Sequence, residues 1–242
     1  MPKGLQKISF IFGKSGLTRW GGLTLFVHFC KSLSLRRHLQ RYVYWPEYYH
    51  KRYHPVDLCL AHIFAIAAGI GRIENTPSLV HNGFIPPLLG LPEFPHRDTL
   101  RTFLWRFNQE NLQSLQRAHD RFRAQLFQRL GMIYSAIIDA DMTVLTVFGH
   151  QESATMGYNP KYQGKRSYAP IISSEGRIGL SLSMELRSGS TQYAKGIWEF
   201  LEPIIEKLPN TMASSRIRTR LDASFYSKDI IHPLDEKNIG YA

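Results

Sequence analysis

The stretch Ile137-Ile138-Asp139-Ala140-Asp141-Met142-Thr143 decides how the chain is read. Met132, Ile133, Tyr134 and Ala136 run into it, and Val144, Leu145, Val147 and Phe148 run out of it. An apolar run of this length predicts a strand covered on both faces. Asp139 and Asp141 are two apart, so an extended backbone sends both carboxylates to one face. Two like charges on a buried face need a cation, a shared proton or a place at the sheet's open edge. Alternatively, the strand ends near Asp141 and both aspartates are solvated turn residues. The downstream sequence weighs between the two.

Beyond a glycine-rich and polar loop, 148–166, two strands are expected at Ser167–Ser173 and Ile178–Leu186. Ser174-Glu175-Gly176-Arg177 forms the turn between them. A helix is expected over about Gln192–Leu208, with Ala194, Ile197, Trp198, Leu201 and Ile205 as its buried stripe. Ile217–Leu221 reads as a short strand with Asp222 at its end. Ser227–Lys237 reads as a helix, and a fifth strand begins near Ile239. This succession resembles the RNase H-like α/β fold, in which carboxylates of neighbouring strands hold divalent metals.

Upstream, the periodicity is helical. Leu23, Phe26, Val27 and Cys30 keep a helical spacing, with a break at Ser32–Ser34 before a second piece rich in Arg36, Arg37, His38 and Arg41. Tyr44, Trp45, Tyr48, Tyr49 and Tyr53 then alternate with Arg41, Lys51 and Arg52. Such a pattern either stacks on bases and grips phosphate or forms an aromatic cluster under a loop. Pro55–Gly71 predicts the central helix of an α-domain. Short helices are expected at Glu74–His81 and Phe84–Leu89. His96–Phe107, capped by Asp98 or Thr99, carries Arg97, Arg101 and Arg106 off its apolar face. That pattern is shared by a DNA-recognition helix and by a solvated basic face. Asn111–Leu130 is a long amphipathic helix with Arg117, Arg121, Arg123 and Arg129 on its polar side, ended by Gly131.

The 242 residues carry a formal net charge of +11, which favours a polyanionic partner such as nucleic acid or an anionic membrane surface. No apolar run is long enough to span a membrane. Cys30 and Cys59, with no CxxC, read as reduced, packed thiols of a cytosolic protein. Residues 1–131 are therefore read as a helical region with a basic arm over 1–20, and residues 132–242 as a separate α/β domain. The whole is an α+β two-part chain.

Six motifs in order carry a resemblance to a known family. They are Asp139-Ala140-Asp141-Met142-Thr143, Gly149-His150-Gln151-Glu152-Ser153-Ala154, Gly157-Tyr158-Asn159-Pro160-Lys161, Gly164-Lys165-Arg166-Ser167-Tyr168-Ala169-Pro170, Leu186-Arg187-Ser188-Gly189-Ser190-Thr191 and Leu221-Asp222-Ala223-Ser224-Phe225-Tyr226. Together they resemble the DDE-type transposases of bacterial insertion sequences. The resemblance implies an all-α N-terminal region that binds terminal inverted repeats in double-stranded DNA, followed by a partial RNase H-like catalytic domain. It implies strand cleavage and transfer with two Mg²⁺ (or Mn²⁺) ions, Asp141 bridging both and Asp222 holding one. Asp139 assists from the same face or forms a salt bridge nearby. Lys161, Lys165 and Arg166, in the loop after the first strand, either hold DNA phosphates or belong to a solvated loop. A homo-oligomer when active, no membrane, and a place in the bacterial cytoplasm at the nucleoid are implied too.

The sequence departs from the family pattern at three points. Met142 replaces a serine of the first motif, and Ala223-Ser224 stands where Ser-Gly is usual. A turn needing positive φ would be strained by the loss of that glycine. The family's third carboxylate is a glutamate on a helix beyond the strand that begins near Ile239, so the chain resembles the front part of such an enzyme. Asp235 and Glu236 come too early for that role. The other function considered is a non-catalytic DNA-binding regulator or inhibitor of transposition.

Overall fold

In the computed structural model, which describes residues 18–45, 52–80, 83–192 and 194–242, every regular element among those residues upstream of Gly131 is helical and every strand lies downstream. Two compact units result, Met1–Phe122 and Arg123–Ala242.

In the first unit, α1 (Leu23–Ser32) and α2 (Leu35–Tyr42) are separated at Ser34, whose φ of 55° breaks the helical run. Helix α3 (Pro55–Ala67) starts on His54, whose Nδ1 accepts the Val56 N–H, with Pro55 in the first turn, where its missing N–H is harmless. Seven of its residues are buried, although Ile66 is exposed. After a 3-10 turn at Ile73–Asn75 come α4 (Pro77–Val80), α5 (Ile85–Leu89) and α6 (Arg97–Trp105). The cap of α6 is His96, not Asp98 or Thr99. Its Nδ1 accepts the Asp98 N–H, while the Asp98 carboxylate binds Arg101 within the first turn.

Helix α7 (Gln109–Arg129) opens on a reciprocal cap, Asn108 and Asn111 each accepting the other's backbone N–H at 2.9 Å. Val56, Leu58, Ala61, Leu79, Ile85, Phe94, Leu100 and Phe103 are buried together in this unit's core. The aromatic segment contributes to that core. Trp45 packs on Phe103 and Phe107, and buried Tyr53 donates to Glu93, whereas Tyr44 is exposed. Tyr48, Tyr49, Lys51 and the basic arm as far as residue 17 lie outside the described residues.

The boundary between units falls inside α7, upstream of Gly131. Arg123 does not line the polar side of α7. It is 1% exposed, and its Nη1 donates to the Leu182 carbonyl at 2.5 Å. Arg123 stands one turn before Phe127, which is in the second core, so helical spacing turns both side chains inward. Gly131, at φ 67°, ends the helix in a left-handed cap: Met132 N–H bonds Phe127 O and Gly131 N–H bonds Gln128 O.

The second unit is built on β1 (Ala136–Met142), β2 (Leu145–Thr146), β3 (Thr155–Met156), β4 (Arg166–Glu175), β5 (Leu180–Ser188), α8 (Ile197–Glu206), β6 (Ile217–Leu221), α9 (Lys228–Glu236) and β7 (Gly240–Tyr241). The main strands lie in the order β5–β4–β1–β6–β7. β4 runs antiparallel to both of its neighbours, β5 and β1, and β1, β6 and β7 are parallel. The sheet is therefore mixed. β2 and β3 extend it at the start of β4; β2 lies in the apolar run that leaves β1, and β3 within the stretch 148–166 expected to be a loop.

Strand β1 is covered on one face only. Ala136, Ile138, Ala140 and Met142 are buried in a core shared with α8, α9 and Phe127. Ile137, Asp139 and Asp141 occupy the other face, where Asp141 is exposed. The hairpin turn comes later than expected. Glu175 belongs to β4 and is fully buried, its Oε1 accepting the Ile137 N–H and Arg177 Nε. The chain reverses after it, through Gly179 at φ 65°. Helix α8 also starts later than expected, because Arg187 holds the Lys195 and Gly196 carbonyls at 2.9 and 2.8 Å.

Candidate active site

The register of β1 and β6 builds the site. Ala136 pairs with Ile217 and Ala140 with Leu221, so one step further Asp141 comes beside Asp222. Both stand at the carboxyl ends of parallel neighbours, where side chains converge beyond the sheet. Their hydrophobic neighbours in sequence, Ala140 and Leu221, face the covered side, which turns the two acids to the open face.

Each acid is held locally. Asp141 Oδ1 accepts the Met142 N–H at 2.8 Å. Asp222 caps a 3-10 turn, Ala223–Phe225, and its Oδ1 accepts the Ser224 N–H at 2.7 Å. Hydrogen bonds from the Ser224 backbone first, and its side chain second, hold the Asp222 carboxyl below its ordinary range. The missing motif glycine costs nothing here, since neither Ala223 nor Ser224 has positive φ.

Asp139 shares the face of Asp141 but is already paired. Arg220, opposite it on β6, donates from Nε to Oδ1 and from Nη2 to Oδ2, both at 2.5 Å. Of the two roles the sequence leaves open for Asp139, this is the salt bridge, but the sequence does not name Arg220 as the partner. Its one signal is the spacing: Arg220 precedes Asp222 by the same two residues that separate Asp139 from Asp141.

Hard carboxylate oxygens are the donors Mg²⁺ and Mn²⁺ take. Asp141 and Asp222 fit such an ion: both are exposed, and each gives one oxygen to a backbone N–H. Among the described residues no group of three His, Cys, Asp or Glu side chains is placed to hold a metal. Glu236 instead meets His232.

The expected DNA contacts divide. Lys161 and Lys165 are exposed in the segment between β3 and β4. Arg166 is half-buried and donates to the Ala154 carbonyl. In the first unit, Arg101 is engaged by Asp98 and Glu74, both at 2.9 Å, and Arg97 lies 3.6 Å from Asp98. Arg106 is the exposed C-terminal cap of α6.

The motif glycines and the asparagine between them have packing roles. A Cβ on Gly157 would stand 1.7 Å from the Gly189 carbonyl oxygen, so two backbones meet where the third and fifth motifs cross. Asn159, buried, donates to Thr146 and accepts the Tyr162 N–H, fixing the segment that carries Lys161.

A mixed sheet with two acids at the ends of adjacent parallel strands defines the class of α/β domain. Residues 3–242 match the family described as transposase DDE domain group 1, and the chain belongs to that family. Among solved structures, a pre-cleavage Mos1 transpososome aligns over 93% of this chain and 78% of that chain, at 11% identity and a TM-score of 0.32. The Mos1 transposase paired-end complex with left transposon end aligns over the same shares at 9% identity and a TM-score of 0.30. No curated protein matches the sequence. No helix among the described residues is long and apolar enough to cross a membrane.

Proposed function

We propose that this member of the transposase DDE family binds the terminal inverted repeats of an insertion sequence in double-stranded DNA and cleaves and transfers strands there. The supporting observation is the placement of Asp141 beside Asp222 by the β1–β6 register. The strand order β5–β4–β1–β6–β7 accords with an RNase H-like catalytic domain. Residues 1–131 would form the helical DNA-binding region and residues 132–242 the catalytic one, working as a homo-oligomer at the nucleoid of a bacterial cytoplasm.

Asp141 and Asp222 would hold Mg²⁺ or Mn²⁺. When bound, the metal supplies Lewis-acid activation of water or a 3′-hydroxyl and stabilises the leaving oxygen. The protein's part is orientation. Backbone N–H bonds fix one oxygen of each acid, while the strand ends present the others to solvent. Lys161 and Lys165 supply positive charge for the phosphate backbone.

A second reading is favoured by one observation: among the described residues no third acid joins the pair. A chain with two carboxylates binds DNA ends without cutting them, and regulates or inhibits transposition by occupying them. One experiment separates the two. Labelled inverted-repeat DNA is incubated with the protein in Mg²⁺ and in Mn²⁺. The enzyme gives end-specific nicks that Asp141→Asn or Asp222→Asn abolishes. The regulator gives a salt-sensitive complex and intact DNA. Nicking unchanged in both variants overturns the assignment of the pair.

A further inference from the structure

We propose that Arg220 is a positioning residue that keeps Asp139 out of the metal site, leaving Asp141 and Asp222 to meet the cation as a pair; the inference rests on the metal-binding reading of those two acids. Asp139 and Asp141 share the open face of β1, and Arg220 and Asp222 take the same two-residue step on β6. The four side chains make a two-by-two patch, with an ion pair in one row and two acids in the next.

The grip on Asp139 is complete. Arg220 takes both of its oxygens, through Nε and Nη2, in the fork geometry a guanidinium offers a carboxylate. The hairpin closes on the pair at Gly176. A Cβ there would stand 2.5 Å from Arg220 Nη2 and 2.6 Å from Asp139 Oδ2. A side chain at this position would have to displace the ends of the fork.

The pair has two consequences of opposite sign. Without the guanidinium, Asp139 becomes a third free carboxylate on the same face, about 7 Å along the strand from Asp141. Without Asp139, the guanidinium is released beside Asp141 and Asp222 and competes with a cation for them. A pair that serves only to tie β1 to β6 would move metal affinity through its charges alone, so the charge-conserving Arg220→Lys would leave it unchanged.

The test measures Mn²⁺ binding to the full chain by the electron paramagnetic resonance of the free ion, with no DNA present. Arg220→Met is expected to tighten binding about tenfold and Asp139→Asn to weaken it by about as much, the scale of one added or removed charge near the site. The double variant returns close to the parent. Should Arg220→Met fail to fold, Arg220→Lys, which can hold only one oxygen, gives a smaller tightening. Unchanged or weaker binding on loss of Arg220, or unchanged binding in Asp139→Asn, overturns the proposal. Asp141→Asn is the control. If it leaves Mn²⁺ binding intact, the metal reading itself fails; if it weakens binding while the Arg220 and Asp139 variants do not, only this inference fails.

Discussion

Arg123, near the end of the longest helix, donates from Nη1 to the carbonyl of Leu182 in β5 and is 1% exposed. A charge so deeply placed is tolerated because it is hydrogen-bonded, and removing it strips the acceptor as well as the volume. Arg123→Ala is expected to destabilise the protein by about 3 kcal/mol, in the range of core truncations. Arg121→Ala, on the exposed side of the same helix, should fall within about 0.5 kcal/mol of the parent. Urea unfolding of the two variants checks the contrast, and equal midpoints would show that Arg123 is not held as described.

Gly157 and Gly189 cross so closely that any side chain at either must move backbone. A Cβ on Gly189 would stand 2.6 Å from the Ser167 carbonyl oxygen and 2.7 Å from that of Thr155. Backbone yields far less readily than a flexible side-chain end. Gly157→Ala and Gly189→Ala should each cost about 3 kcal/mol or more. Gly164→Ala should cost about 1 kcal/mol, from its positive φ alone, since open space surrounds it. Thermal unfolding of the three variants tests the ranking.

Which features are legible in the sequence comes down to range. Ile217–Leu221 is legible end to end because its residues alternate between buried and exposed and Asp222 stops it. The ends of α7 are nearly as plain, with an amphipathic stripe and a glycine. The Asp139–Arg220 pair depends on a register between strands some eighty residues apart, which no local pattern encodes. Arg123 misleads because an arginine reads as surface until its helical neighbour Phe127 is known to be core. β2 and β3, two residues each, are too short to show a period. The apolar run around β1 implies two-sided cover, yet only the alternate residues Ala136, Ile138, Ala140 and Met142 are buried.

The basic residues differ in what they are free to do. Lys161 and Lys165 are exposed, whereas Arg101 is committed to Asp98 and Glu74. Lys161→Ala with Lys165→Ala is expected to weaken inverted-repeat binding and lower the slope of log affinity against log salt by about two, one per phosphate contact. Arg101→Ala should change the slope by less than about one. Fluorescence anisotropy across a salt series measures both. A larger effect at Arg101 would move the DNA contact to α6.

Burial pushes the Cys30 thiol up to about 11 and the Cys59 thiol up to about 12. Thiolate is the reactive form, so at about pH 8 neither side chain offers an appreciable amount of it. The native protein should react negligibly with a disulfide reagent, and both thiols should react once denaturant is added. Rapid labelling of either cysteine in the native state would contradict the packing around α1 and α3.

Asp222 is held in its charged form by the turn it caps. Its carboxyl is lowered chiefly by the Ser224 N–H and further by the Ser224 side chain. A carboxyl lowered on folding adds stability above its unfolded value, about 3.9, and loses it as pH falls through the folded value. Asp222 therefore stays ionised, and competent for a cation, under conditions where an ordinary aspartate is already being protonated. Ser224→Ala removes the hydroxyl bond and keeps the backbone one, so the pKa should rise toward the usual range without reaching it. Carbon-13 NMR titration of the aspartate side-chain carboxyls tracks this directly, with Asp222→Asn identifying the resonance. An Asp222 that titrates at or above the ordinary value in the parent protein would break the link between the capped turn and the site.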